Sequence, residues 1–173
     1  MKFTIALLAA TATLGLGAPA LAADAPTDPQ IAHIAYTAGN IDIAAAKQAL
    51  AKTHNKAVRS FAQEMVRDHE AVNQKALALV KKLHVTPQDN PTSEALSKGA
   101  NEELAKLKKL SGAQFDRAYV DNEVAFHKTV NGALQSTLIP NAKNGELKSL
   151  LETGLTLFKE HQAHAEQVAK ELK

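Results

Sequence analysis

The chain has 173 residues, 45% of them hydrophobic but only 4% aromatic, with no cysteine, no tryptophan and a formal charge of +2. Without cysteine there is no disulfide scaffold, no zinc ribbon and no thiol nucleophile. Charges balanced in sign, with five Phe and two Tyr, supply neither the basic stripe nor the stacking rings of a nucleic-acid binder, and the apolar content is too high for a disordered chain.

Met1 and Lys2 form a short positive start, Phe3 to Gly17 an apolar run, and Ala20-Leu21-Ala22 a small-residue cleavage site. Together these read as a secretory signal peptide over residues 1–22. The run is shorter than the roughly 20 residues a spanning helix needs, and no later segment is apolar enough to cross a bilayer. The expectation is an exported soluble protein, most simply periplasmic, with association to the outer membrane as the alternative. Residues 23–28 read as a loose leader, and 29–173 as one helical domain.

Asp28-Pro29 predicts a helix start, with Asp28 as N-cap and Pro29 in the first turn. Ile31, Ile34, Ala35, Ala38, Ile41, Ala45 and Ala49 then recur at helical spacing to about Lys52. A second helix begins near Asn55 and carries Val58, Phe61, Met65, Val72 and Val80 on one face. His84 to Pro91 stops it. Thr92 to Leu110 predicts a shorter helix, rich in Lys and Glu, with a thin Leu stripe and a place on the outside. Ser111 with Gln114 has the spacing of a capping box opening a third core helix, whose face is read as Phe115, Tyr119, Phe126, Val130, Leu134 and Thr137. After Pro140, Asn144 can cap a fourth, carrying Leu147, Leu151, Phe158, Ala165 and Val168.

No segment alternates with period two, which excludes an outer-membrane barrel. The connection from the second to the third core helix takes about 27 residues and holds a helix of its own; at 1.5 Å per residue, about 18 helical residues cover roughly 27 Å. That length carries the chain from one end of a bundle to the other. The fold class expected is all-α, a ferritin-like four-helix bundle with a long crossover carrying a short extra helix. A simple up-down-up-down bundle is the alternative.

Polar residues interrupt the apolar faces. Asp42 falls mid-stripe on the first helix, His69 on the second and His161 on the fourth; His127 lies nearer the edge of the third, with Glu123 one turn before it. Their distances along each helix place all four within about two turns of one level. An unpartnered carboxylate or imidazole is costly inside a core, so one Asp and three His directed inward predict a shared network. Two readings stay open: a structural Asp–His cluster that sets helix register, or a metal site of Asp42, His69, His127 and His161 with Glu123 as a second carboxylate. By ligand type the metal would be Zn, Cu or Fe. The carboxylate-bridged di-iron site requires Glu-x-x-His on two helices, and no Glu here has a His three residues later.

His33, His54, His84 and His164 fall on polar faces or helix ends. His69 and His127 each precede an Asn by one turn, Asn73 and Asn131, which suggests amides that orient the rings.

The stretch from Phe61 through Met65-Val66-Arg67-Asp68-His69 to Asn73, then Phe115-Asp-Arg-Ala-Tyr-Val120, then His161, resembles the bacterial exported family called domain of unknown function 4142. That family is often labelled an outer-membrane protein and grouped with ferritin-like folds; the resemblance covers about Ile31 to Leu172. It implies fold and export, and no established reaction. Asp42 stands where the family usually has Glu, Asp68-His69 and His161 fall on recurring positions, and a second Asp-His pair becomes Phe126-His127 here.

Two functions follow as expectations. One is a non-catalytic periplasmic binding or envelope stress-response module whose surface, such as the Lys98 to Lys109 helix, meets another envelope component. The other is a metal-binding protein using the central cluster. Hydrolase chemistry is disfavoured, since neither a Gly-x-Ser-x-Gly elbow nor a His-Glu-x-x-His helix occurs.

Overall fold

The computed structural model describes residues 25–172; the expected signal peptide, 1–22, lies outside the described residues. Five long helices form: α1 (Asp28–Lys52), α2 (Lys56–Lys82), α3 (Pro91–Lys108), α4 (Gly112–Ala133) and, after a π-helical turn (Leu134–Leu138) and the three-residue α5 (Ile139–Asn141), α6 (Gly145–Glu171). There is no strand among the described residues.

The helix ends show which local signals acted. α1 starts one residue earlier than expected: Thr27 is its N-cap, and the Gln30 side chain accepts from the Thr27 amide at 3.0 Å. Asp28 is thereby free to accept from the amides of Lys143 and Asn144, both at 2.8 Å, which ties the start of α1 to the start of α6. Asn144 caps α6 as expected and Asn55 caps α2, each accepting two amides of the first turn. Asn90 caps α3 in a reciprocal box with Ser93. The box expected at Ser111 does not form. Gly112 sits in the left-handed region at φ 55°, which takes the first turn of α4 out of the geometry such a box needs.

Cross-helix bonds give the direction of the crossover. α3 begins beside the first turn of α1, where the Gln88 amide donates to the Pro29 carbonyl at 3.0 Å. It ends beside the last turn, where Lys52 Nζ reaches the Lys108 carbonyl at 2.7 Å. α3 therefore runs parallel to α1 for its whole length. α4 then starts at that far end, with Lys52 over the Phe115 ring at 5.2 Å, and returns to the end where Asp28 waits. α1 and α2 pack as one hairpin, α4 and α6 as the other, with α2 against α6, α1 against α4, and α3 laid against α1.

Two apolar clusters fill the interior. Phe61, Met65, Leu107, Phe115, Tyr119 and Val120 form one toward the C-terminal end of α1; Ile31, Ile34, Leu134, Leu138, Leu151 and Phe158 form the other toward its start. Each buried side chain of this size contributes roughly 1.5–3 kcal/mol. Between the clusters lies a polar layer. α4 shows why: its buried stripe is Phe115, Tyr119, Glu123, His127, Asn131, Leu134 and Leu138. The expected face is thus rotated, with Thr137 exposed and Phe126 only half-buried. Ranking positions by hydrophobicity favours Phe126, but Phe126 faces the groove beneath α3, and the polar Glu123 and His127 take the centre because they meet polar partners there.

Candidate functional site

Asp42 on α1, His69 on α2, Glu123 and His127 on α4, and His161 on α6 are all 2% exposed or less, so every residue expected in the cluster arrives in the core. The three imidazoles stand at the corners of a triangle: ring centroids are 5.7 Å apart for His69–His127, 5.3 Å for His69–His161 and 5.5 Å for His127–His161. His127 is central, not peripheral. Phe158 covers His69 from the side of the α1 start, the two rings stacked at 4.7 Å and 10°. Asp42 lies 3.6 Å from His69 Nε2 and 3.9 Å from His127 Nδ1, and Glu123 lies 3.6 Å from the same Nδ1.

The hydrogen bonds determine which ring nitrogens are lone pairs. His127 Nδ1 is 3.0 Å from the Glu123 carbonyl oxygen, an acceptor only, so Nδ1 carries the proton and Nε2 the lone pair. His161 Nε2 is 3.1 Å from the Asp68 carboxylate, which likewise leaves Nδ1 as the lone pair. His127 Nε2, His161 Nδ1 and both nitrogens of His69 are buried with no hydrogen-bond partner among the described residues, as are one oxygen of Asp42 and both of Glu123. Buried polar atoms are paired as a rule, and seven orphans in one layer call for a ligand or a shared proton. One ring nitrogen from each of the three histidines lies within 4.8 Å of the other two, and His127 forms a second such group with Asp42 and Glu123.

Charge follows burial. Burial lowers His69 well below the ordinary imidazole value, the neighbouring His127 and His161 adding to it. His127 is pulled down to about 4, by burial first and His161 second. Burial also lowers His161, against the pull of Asp68. All three rings are therefore neutral at pH 7, the form that ligates metal. The carboxyls move the other way: burial pushes Asp42 up to about 8, and burial with the facing Asp42 raises Glu123 well above its usual range. Two carboxyls this close in a dry layer do not both ionise; they hold a proton that a cation would displace.

The family model for Domain of unknown function (DUF4142) matches residues 15–168. The chain belongs to this family. No curated protein and no solved structure matches it. In this DUF4142 domain the helical character and the buried His/Asp cluster are both present, and no helix among the described residues is long and apolar enough to cross a membrane.

Sequence reasoning missed the role of Asp68. One residue before His69 it falls on the flank of α2, and only the packing of α2 on α6 brings it to His161. Arg67 holds its other side at 2.8 Å. Burial works against the Asp68 charge, yet the bonds from Arg67 and His161 keep its carboxyl below the ordinary value. The two asparagines do not orient the rings. Asn73 donates to Asn40 at 3.0 Å, while Asn131 donates to the Phe158 carbonyl at 3.2 Å and to Gln162 at 3.0 Å. Each Asn lies one turn beyond its His but turns to a neighbouring backbone or amide. His164 meets Glu64 at 2.6 Å and packs edge-on to Phe61, outside the triangle. His33 stands 3.6 Å from Asp89, and His54 and His84 are exposed.

Proposed function

We propose that this DUF4142 domain is an exported, periplasmic metal-binding protein with a ferritin-like arrangement of helices, holding one Zn or Cu ion on His69, His127 and His161. The observation that carries it is the convergence of unpartnered, neutral ring nitrogens, with the tautomers of His127 and His161 set from behind by the Glu123 carbonyl and the Asp68 carboxylate. A carboxylate behind a ligating imidazole is how proteins orient and strengthen such ligands. Three imidazoles suit Zn or Cu over Mg or Ca, and Asp42, 3.6 Å from His69 Nε2, is the carboxylate placed to join them, while Glu123 faces the protonated Nδ1 of His127. A buried site of this kind serves binding, and we assign it no reaction. The signal-peptide features of residues 1–22 support export, and the crossover through α3 supports the ferritin-like topology.

Elemental analysis of the protein isolated from its own periplasm, followed by titration of the stripped protein with Zn and Cu, tests this. One equivalent is expected in the wild type and none in His69→Ala or His161→Ala, with His33→Ala unaffected. A correctly folded wild type that takes up no stoichiometric metal would sink the proposal and leave the cluster as a structural network.

A further inference from the structure

Beneath the polar layer, on the side of the α1 start, lies a cavity of about 800 Å³. Its origin is in the side chains: α1 offers Ala35 and Ala38 and α6 offers Gly154, where larger residues would close the interior. Pockets of this size, mostly apolar with a few polar groups, are the usual form of a small-molecule site. Phe158 forms the inner wall, the same ring that stacks on His69. From Leu147 to Phe158, both in the lining, α6 rises through 11 residues, or roughly 16 Å, so the space is elongated along the bundle.

Its chemistry is one-sided. Among the described residues that line it there is no Asp, Glu, Lys, Arg or His; the polar lining consists of hydroxyls and amides, with Thr92, Thr137 and Asn141 toward the bundle end. At this partly exposed rim no cationic side chain of the lining stands ready to pair with a carboxylate head, whereas an uncharged hydroxylated head finds hydroxyl and amide partners there. We infer that the cavity binds a neutral single-chain amphiphile, its alkyl chain running toward Phe158 and its hydroxylated head at the Thr92, Thr137 and Asn141 rim. This inference is independent of metal at the histidine layer.

Titration of the purified protein with 1-monolauroylglycerol and with laurate, followed by calorimetry and native mass spectrometry, tests it with two probes that share a chain and differ in head charge. Expected are a 1:1 complex with the monoglyceride and binding of laurate weaker by at least ~10-fold. Ala38→Leu and Ala35→Leu, which place larger side chains in the cavity, should each weaken the monoglyceride by at least ~10-fold while keeping the wild-type helical signal and metal content. The inference is overturned if the monoglyceride does not bind, if laurate binds equally well, or if a folded Ala35→Leu variant binds as the wild type does. A protein that binds the monoglyceride but no metal would leave this inference standing and remove the metal proposal.

Discussion

His161 donates through Nε2 to Asp68 at 3.1 Å across the packing of α2 on α6, and that single bond makes its buried Nδ1 the lone pair of the polar layer. In the proposed three-histidine site Asp68 therefore acts as a positioning residue for His161. Asp68→Asn removes the carboxylate while keeping its shape, so Zn affinity is expected to fall by about 10–100-fold with stoichiometry retained. Competition titration against a chelating dye reads the change; an unaltered affinity would separate Asp68 from the site.

The polar layer sets a pH optimum for the metal-free fold. Asp42, pushed up to about 8, and Glu123, also raised, hold protons that the unfolded chain has released, so what they contribute is full below the unfolded carboxyl value of about 4 and is lost as pH rises toward 8. The lowered histidines act in the opposite sense: below about 6.5 the unfolded chain protonates them and the fold does not, so stability is lost as pH falls toward the value of about 4 reached by His127. Above about 6.5 only the carboxyls differ between the folded and the unfolded chain, so there the layer loses stability as pH rises. Thermal unfolding in chelator is expected to peak near about pH 6.5 and to decline on both sides, and a curve still rising at about pH 8 would contradict this.

Substituting Asp42 separates charge from pairing. Asp42→Ala leaves Glu123 and His69 without their neighbour and should cost about 1–3 kcal/mol at the optimum. Asp42→Asn has no ionisation to resist, so its unfolding midpoint should fall less than the wild type's as pH rises from about 6.5 to 8. Denaturant melts at two pH values distinguish the variants.

Gly39 lies against Asn73 so closely that a Cβ at Gly39 would stand 2.4 Å from Asn73 Oδ1. In an open helix Gly→Ala is stabilising by roughly 1 kcal/mol. Here Gly39→Ala is expected to destabilise by about 1–3 kcal/mol, because the buried amide must leave its bond to Asn40. Urea unfolding gives the sign.

Leu107 is fully buried although α3 lies outside the two hairpins. Leu107→Ala should cost about 2–5 kcal/mol. Leu77→Ala, at a side chain that is 47% exposed, should stay within about 0.5 kcal/mol. Equal effects would mean that α3 adds nothing to the core.

The helices, the Asn144 cap and the residues of the polar layer were legible in the chain alone, because helical period and capping are local and because an Asp or His inside an apolar stripe stands out against its own neighbours. Local pattern also sufficed for the length of the crossover. It failed at the face of α4, where hydrophobicity ranks Phe126 above Glu123 although the buried side is decided by what α1, α2 and α6 bring to meet it. It failed again at Asp68, Asn73 and Asn131, whose partners lie on other helices or, for Asn73 and Asn40, across the α1–α2 contact. The tautomers, the proton held by Asp42 and Glu123, and the cavity under Phe158 exist only once four helices share one interior, since each depends on distance between side chains far apart in sequence and on the exclusion of water that packing alone provides.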